Sequence, residues 1–203
     1  MSTENADAAT HKAEMQKLQA AQKAKRAEAK DPGRGLVLVH TGKGKGKSSS
    51  AFGVVVRALG WGKTVGVVQF IKGKWKTGER QFFDKLGTVD WHTMGEGFTW
   101  DTQDKDRDIA AATAAFDRAC EMMASGDYDL IVLDEINIAM RYEYVTVARA
   151  LEGLAARSDR TTVILTGRDA KPELCKYADL VTEMTEVKHP FQAGIKAQRG
   201  VDY

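Results

Sequence analysis

The sequence predicts an α/β fold with a mainly parallel central sheet flanked by helices. From Gly35 onward, short runs rich in β-branched residues alternate with amphipathic stretches, which is typical of a βαβ series. Four of these runs are almost continuously apolar, as strands covered on both faces usually are. The chain of 203 residues is long enough for one such domain, and a second domain is not expected.

The four apolar runs are expected to form the centre of the sheet. They are residues 36–39, 65–70, 130–133 and 162–165. Two shorter and more mixed runs, 89–94 and 180–184, are expected nearer the sheet edges. Apolar residues recur at helical spacing in the stretches between the strands, which are residues 51–59, 109–123 and 145–155. Pro172 is expected in the first turn of a further helix.

Residues 1–34 differ from the rest of the chain in composition. They are polar and rich in Ala, Lys, Glu and Gln, and Met15 and Leu18 are almost their only large apolar side chains. Such a segment can be helical, but it has too little apolar surface to form a core. We therefore expect a mobile or lid-forming N-terminal segment over residues 1–34 and a folded domain over residues 35–203.

The composition argues against several classes of function. Lys and Arg total 30 and Asp and Glu total 28, so the formal net charge of +2 gives no general attraction to nucleic acid or to an anionic membrane. No apolar run reaches the roughly 18 residues of a membrane span, and no signal peptide is recognisable, so a cytoplasmic protein is expected. Cys120 and Cys175 lack metal-ligand spacing, which favours buried reduced thiols.

A glycine-rich loop follows the first predicted strand. It reads HTGKGKGKSSS over residues 40–50 and leads into an apolar helical stretch. Glycines let backbone N–H groups converge on a phosphate, and the helix start adds a partial positive charge. Lys47 would add a full charge and Ser48 a hydroxyl for Mg²⁺. Thr41 stands where the GxxxxGK[ST] pattern has its first glycine, so the loop shape or the nucleotide pose is expected to differ from that of an ordinary NTPase.

Two carboxylates follow the third buried strand. Asp134 and Glu135 come directly after residues 130–133. In a sheet that also carries a phosphate loop, acidic residues at a strand end are expected to face the phosphates and to hold Mg²⁺. The sequence leaves open which of the two carboxylates contacts the metal directly.

Several ordered motifs carry a resemblance to a known family. They are the glycine loop, GVVQFIKG at residues 66–73, MGEGFTWDTQ at 94–103, LDE at 133–135, LTGR at 165–168 and KHPF at 188–191. Together they closely resemble the P-loop ATP:cob(I)alamin adenosyltransferases of bacterial corrinoid synthesis and salvage, over residues 35–203. The resemblance implies a RecA-like P-loop fold, a homodimer, and ATP bound in reversed orientation with its triphosphate held by the loop.

The resemblance also implies a reaction at carbon. In this family a Co(I) corrinoid attacks C5′ of ATP and expels triphosphate, and the corrinoid is cob(I)alamin, cobinamide or a related compound. A flavoprotein is the implied electron donor. Phe98 and Trp100 are implied to pack on the lower face of the corrin ring and to favour four-coordinate Co(II), which is then reduced. Stiff apolar rings without a ligand atom suit that role, although core packing is the alternative for both residues.

By the same resemblance, Lys47 joins Phe98 and Trp100 as a catalytic residue, and Ser48 would hold Mg²⁺ with Asp134 or Glu135. The implied nucleotide-binding residues are Thr41, Gly42, Lys43, Gly44, Lys45, Gly46, Lys47, Ser48, Ser49, Arg57 and Arg168. For the two arginines, a surface salt bridge is an equal alternative. The N-terminal segment is implied to fold over the bound corrinoid.

Two other functions stay open at this point. A P-loop kinase or ATPase would act at the γ-phosphate and release ADP, whereas adenosyl transfer releases triphosphate. A RecA-like nucleic-acid-binding module would use the basic N-terminal arm. The near-neutral charge and the lack of an aromatic and basic groove pattern argue against that module.

Overall fold

A computed structural model of the chain describes residues 2–71, 77–93 and 105–203. The chain divides into an N-terminal unit that ends at Gly33 and a larger unit over Arg34–Tyr203. The N-terminal unit contains one helix, α1 (Ser2–Glu28), and its side chains from Thr10 onward are exposed. The division at residue 34 and the lid role of this segment stay predictions.

The larger unit is built on a six-stranded parallel sheet. Its strands are β1 (Val37–Thr41), β2 (Val65–Gln69), β3 (Val89–Thr93), β4 (Leu130–Asp134), β5 (Thr162–Thr166) and β6 (Leu180–Glu183). Their order is β3-β2-β4-β5-β1-β6, and the pairings among these strands are all parallel. The four apolar runs occupy the centre and the two mixed runs the edges, which confirms the predicted α/β fold class with a parallel central sheet.

Helices flank this sheet. They are α2 (Lys47–Gly60), α3 (Gly78–Leu86), α4 (Lys105–Ser125), α5 (Ile136–Arg141), α6 (Val147–Ala155) and α7 (Pro172–Tyr177), and a 3₁₀ turn (Pro190–Ala193) follows β6. Pro172 starts α7 as predicted. Val145 precedes α6 rather than belonging to it, because the Thr146 hydroxyl caps the helix by accepting the Arg149 N–H at 3.3 Å.

Alternate residues of the strands pack into two separate cores. Ile131 and Leu133 face the core that contains Phe116 of α4. Val132, between them, faces the opposite core, which contains Phe52 of α2. Side chains of a strand point to opposite faces in turn, so a strand covered by helices on both sides must be apolar at every position.

The sequence predicts buried reduced thiols at both cysteines and no membrane span. Cys120 and Cys175 are free and only partly buried, and burial raises the pKa of both thiols. Within the described residues, no helix combines the length and the apolar character that crossing a membrane requires.

Candidate functional site

The glycine loop lies between β1 and α2, at the carboxyl edge of the sheet, where ligands of open α/β sheets bind. Gly42 has a φ of 94° and Gly46, which precedes α2, a φ of 110°. Both values lie in the left-handed region that glycine adopts at little cost. The first turn of α2 carries no acidic side chain. Its backbone N–H groups can therefore receive an anion.

The loop also packs against the segment that follows β6. The Gly44 N–H donates to the Met184 carbonyl at 2.7 Å. A Cβ atom on Gly42 would lie 2.7 Å from Met184 N, and one on Gly44 would lie 2.7 Å from Thr185 O. Both distances are too short for real contacts, so side chains at these two positions would displace the loop. Packing against this segment therefore requires glycine at both positions.

Lys47 begins α2 and turns its side chain back over the loop. The residue is 7% exposed, and its Nζ donates to the Gly44 carbonyl at 2.5 Å. Burial lowers the pKa of Lys47, and the charge of Glu135 partly opposes this shift. An ammonium group has three donors. Lys47 is thus held inside the loop with hydrogen-bonding capacity for a phosphate.

Asp134, the last residue of β4, is 3% exposed and held by several donors. Its carboxylate accepts from Thr166 Oγ1 at 2.8 Å and from Gln69 Nε2 at 3.2 Å, and it also hydrogen-bonds with the Ser48 side chain. Burial raises the pKa of Asp134, while these hydrogen bonds oppose the shift. The carboxylate therefore links β4 directly to the first turn of α2.

Glu135 combines an uncommon backbone conformation with a buried carboxyl group. Its φ is 62°, and its N–H donates to Thr166 Oγ1 at 2.9 Å. Burial, followed by the charge of Asp134, raises the pKa of Glu135 to about 7. Within the described part of the chain, Glu135 Oε2 is buried without a hydrogen-bond partner. Strained backbone and an unsatisfied buried oxygen are both typical of a binding site.

These groups line one cavity of about 530 Å³, a size typical of small-ligand sites. The predicted residues that it brings together are Gly44, Lys45, Gly46, Lys47, Ser48, Ser49, Asp134, Glu135 and Arg168. The wall of the cavity therefore contains Lys45 and Lys47 together with the two carboxylates.

Other predicted residues are not brought to this cavity. Thr41 Oγ1 accepts the Ala170 N–H at 3.0 Å, and Gly42 is packed against the segment after β6. Lys43 is exposed, and Arg57 is exposed in the last turn of α2. Their assignment to the nucleotide stays a prediction.

Phe98 and Trp100, the predicted corrin-facing aromatics, lie outside the described residues. Their role stays a prediction that rests on the resemblance of the surrounding motif.

The cavity wall contains polar residues that sequence reasoning did not assign to the site, among them Gln69, Arg141, His189 and Asp202. Gln69 ends β2 at the same sheet edge as Asp134, so its place in the strand pattern could have indicated it. Arg141 ends the short helix α5 and pairs with Asp169 at 2.9 Å. His189 and Asp202 come from the segment after β6, and no local pattern indicates where such a segment folds.

The described residues fit a Mg²⁺ ion that also has phosphate ligands. Within residues 2–71, 77–93 and 105–203, no group of three or more His, Cys, Asp or Glu side chains could hold a metal by itself. Ser48, Asp134 and Glu135 nevertheless offer the oxygen ligands that Mg²⁺ prefers. At nucleotide sites this ion usually takes only one or two carboxylates, together with phosphate oxygens and water.

The charges of the site determine which ligand it can hold. The start of α2 and Lys47 favour an anion, and the two carboxylates favour a cation. A glycine loop with a buried lysine, two carboxylates at a strand end and a parallel sheet together define the class: the protein is a P-loop nucleotide-binding protein.

Comparison with known proteins gives the family. The family described as "ATP:corrinoid adenosyltransferase BtuR/CobO/CobP" matches residues 33–203, and the chain belongs to this family. It is 53% identical over 194 residues to a corrinoid adenosyltransferase of Pseudomonas aeruginosa, with 95% of each chain covered. It is 48% identical over 200 residues to a corrinoid adenosyltransferase of a Sinorhizobium species, covering 97% of this chain and 93% of that relative.

Among solved structures, a KaiC-like protein of Pyrococcus horikoshii matches with a TM-score of 0.48 and 17% identity, covering 77% of this chain and 75% of that chain. The family match confirms the resemblance that the sequence motifs indicated.

Proposed function

We propose that the protein transfers the 5′-deoxyadenosyl group of ATP to the Co(I) centre of a corrinoid and releases triphosphate. Membership of the corrinoid adenosyltransferase family supports the reaction. The observation that carries the assignment of the site is the buried Lys47, which shares one cavity with the α2 N-terminus and two carboxylates.

The reaction requires the protein to stabilise a leaving group. Cobalt supplies both electrons of the new bond to C5′, the bond from C5′ to oxygen breaks, and the triphosphate leaves with that electron pair. Negative charge therefore grows on the triphosphate in the transition state. Lys47 and Arg168, which line the cavity, and the loop N–H groups would stabilise this charge, and preorganised donors of this kind contribute strongly to catalysis.

Mg²⁺ would be held at the same site by Ser48 with Asp134 or Glu135. When bound, it would neutralise part of the triphosphate charge. Asp134 already accepts hydrogen bonds from Thr166 and Gln69, whereas Glu135 has an oxygen without a partner in the described residues. We therefore propose Glu135 as the direct ligand, with Asp134 orienting the Ser48 hydroxyl.

Other parts of the proposal rest on the family resemblance. Phe98 and Trp100 would pack on the lower corrin face and exclude the axial ligand, and the N-terminal segment would cover the bound corrinoid. We also propose that the protein is a homodimer and that it acts in the cytoplasm. A flavoprotein would supply the electrons. Cobinamide and complete cobalamins are both included among the substrates.

The proposal is tested by anaerobic incubation of the protein with ATP, Mg²⁺ and chemically reduced cobalamin. The visible spectrum should change to that of a light-sensitive alkylcobalamin, and one triphosphate should appear for each cobalamin converted. Release of ADP with unchanged cobalamin would instead indicate a kinase or an ATPase and would contradict the proposal.

A further inference from the structure

The last six residues of the chain form a closed turn beside the cavity. The Asp202 N–H donates to the Gln198 carbonyl at 2.8 Å, and the Gln198 N–H donates back to Asp202 Oδ2 at 2.8 Å. The Gly200 N–H also donates to the Tyr203 carbonyl at 2.8 Å. These reciprocal bonds fix the Asp202 carboxylate relative to the backbone of residues 198–203, which we call the C-terminal clasp.

An ion pair connects the clasp to the glycine loop. Lys45 Nζ donates to Asp202 Oδ1, the carboxylate oxygen that does not bind Gln198. The Asp202 side chain is 12% exposed, while that of Lys45 is 52% exposed. Val201 and Asp202 line the same cavity as Lys47 and Glu135. The carboxylate is therefore the fixed member of the pair, and Lys45 is the member with freedom to move.

The charges of this contact set up a competition. The hydrogen bond from Lys45, followed by that from the Gln198 N–H, lowers the pKa of Asp202, so the carboxylate is ionised at neutral pH. A triphosphate in the loop would attract the same Lys45 ammonium group. This competition weakens the hold of the loop on a phosphate chain.

We propose that Asp202 competes with the triphosphate for Lys45 and thereby speeds the release of the triphosphate product. The inference rests on the proposed function, since it needs the triphosphate to bind in the glycine loop. The same competition lowers the affinity for ATP. Asp202 acts through Lys45 and is therefore a positioning residue.

Binding of inorganic triphosphate to the full-length protein tests this inference. Calorimetry and stopped-flow dissociation would compare the wild type with Asp202→Asn, Lys45→Met and the double variant. Asparagine keeps an oxygen for the Gln198 N–H, so the clasp can stay folded. Asp202→Asn should bind triphosphate about two- to fivefold more tightly, the factor expected for an exposed ion pair, and should release it more slowly. In the Lys45→Met background, Asp202→Asn should change little.

Asp117→Asn is the matched control. It removes the same charge from a surface ion pair with Arg149, away from the cavity wall, and should leave the affinity for triphosphate unchanged. An equal gain in this control, or a gain that persists without Lys45, would overturn the specific competition. If the wild type binds triphosphate but Asp202→Asn does not bind it more tightly, the clasp inference alone fails. If the wild type binds neither triphosphate nor ATP, the proposed function fails as well.

Discussion

At the scale of single residues, the burial of Lys47 favours the binding of an anion in the loop. Its ammonium group lies inside the loop and donates to the Gly44 carbonyl at 2.5 Å. Burying a cation is costly unless it is paired, and the lowered pKa of Lys47 reflects this cost. A bound phosphate would supply the missing negative charge. The cost of burial is therefore expected to strengthen the preference of the site for anions.

The first prediction concerns Lys47→Ala. The change should lower kcat/KM for ATP about 100-fold or more, because it removes a buried donor that stabilises charge on the leaving group. Steady-state adenosylation with chemically reduced cobalamin measures the effect. Lys85→Ala, which removes an exposed lysine of α3, is the control. Normal activity of Lys47→Ala would show that the loop has been assigned wrongly.

The second prediction concerns the glycines that contact the segment after β6. Gly42→Ala should destabilise the protein by about 1–3 kcal/mol, since it forces a left-handed residue and a short contact with Met184. Gly53→Ala in α2 meets nothing within 4 Å and should stabilise by about 0.5–1 kcal/mol. Urea unfolding of both variants compares them directly. Equal stabilities would contradict the packing role of Gly42.

The third prediction concerns the two aromatics of the motif at residues 94–103. Phe98→Ala and Trp100→Ala should impair adenosylation when Co(II) must be reduced on the protein, because the axial ligand would no longer be excluded. Affinity for ATP should stay unchanged. Parallel assays that start from Co(II) and from chemically reduced Co(I) separate the two steps. Undiminished turnover of both variants from Co(II) would remove the aromatic pair from the mechanism.

At the scale of elements, the strands were easier to predict than the helices. Each central strand is covered on both faces, and its sequence is therefore a continuous run of apolar residues, as in residues 130–133. The six-residue helix α5 spans fewer than two turns, too few for a helical period to show. Its position is set by the chain leaving β4 through the left-handed Glu135. Tertiary context, rather than local pattern, determines such a helix.

The amino ends of β1 and β6 depend on one carboxylate. Asp179 Oδ2 accepts the Val37 N–H at 2.8 Å, and Arg34 binds both carboxylate oxygens, at 2.9 and 2.6 Å. The Arg34 hydrogen bond, followed by that from Val37, lowers the pKa of Asp179 to about 2. The ionised form is thus favoured in the folded protein.

The fourth prediction follows from this pKa. Asp179→Asn should destabilise the protein by about 1–3 kcal/mol at pH 7, because charged hydrogen bonds are lost. The Asp179 carboxylate takes up a proton near pH 4 in the unfolded chain but only near pH 2 in the folded protein. Its contribution to the free energy of unfolding is therefore fully present above pH 4 and is lost as the pH falls through 2. Urea unfolding of both proteins at several pH values tests this.

Asp84→Asn is the control for that series. Asp84 pairs with Arg80 on the surface of α3, and its loss should cost no more than about 0.5 kcal/mol at any pH. A pH-independent effect of Asp179→Asn would contradict the electrostatic explanation.

At the scale of the whole molecule, the cavity is assembled from segments far apart in the chain. The loop after β1, the ends of β2 and β4 and Arg168 after β5 meet because the carboxyl ends of parallel strands lie at one edge. This part of the site could be predicted from motif and strand order. The position of residues 198–203 could not be predicted in this way, since these residues form a turn and an ion pair and belong to no strand.

The fifth prediction concerns the N-terminal unit. A chain that begins at Arg34 should unfold within about 2 °C of the full-length protein, because residues 10–33 are exposed and contribute no core. Its adenosylation from Co(II) should be lower if the segment covers the corrinoid. Calorimetry and the two assays described above measure both effects. A large loss of stability would show that this unit is part of the folding core.

The contacts of Gly42 and Gly44 with Met184 and Thr185 have a consequence for biosynthesis. The glycine loop leaves the ribosome long before Met184 and Thr185 do. In a nascent chain the loop therefore cannot adopt its packed shape until these two residues have also emerged. ATP can stabilise the completed protein, but it has no formed site through which to guide the early steps of folding.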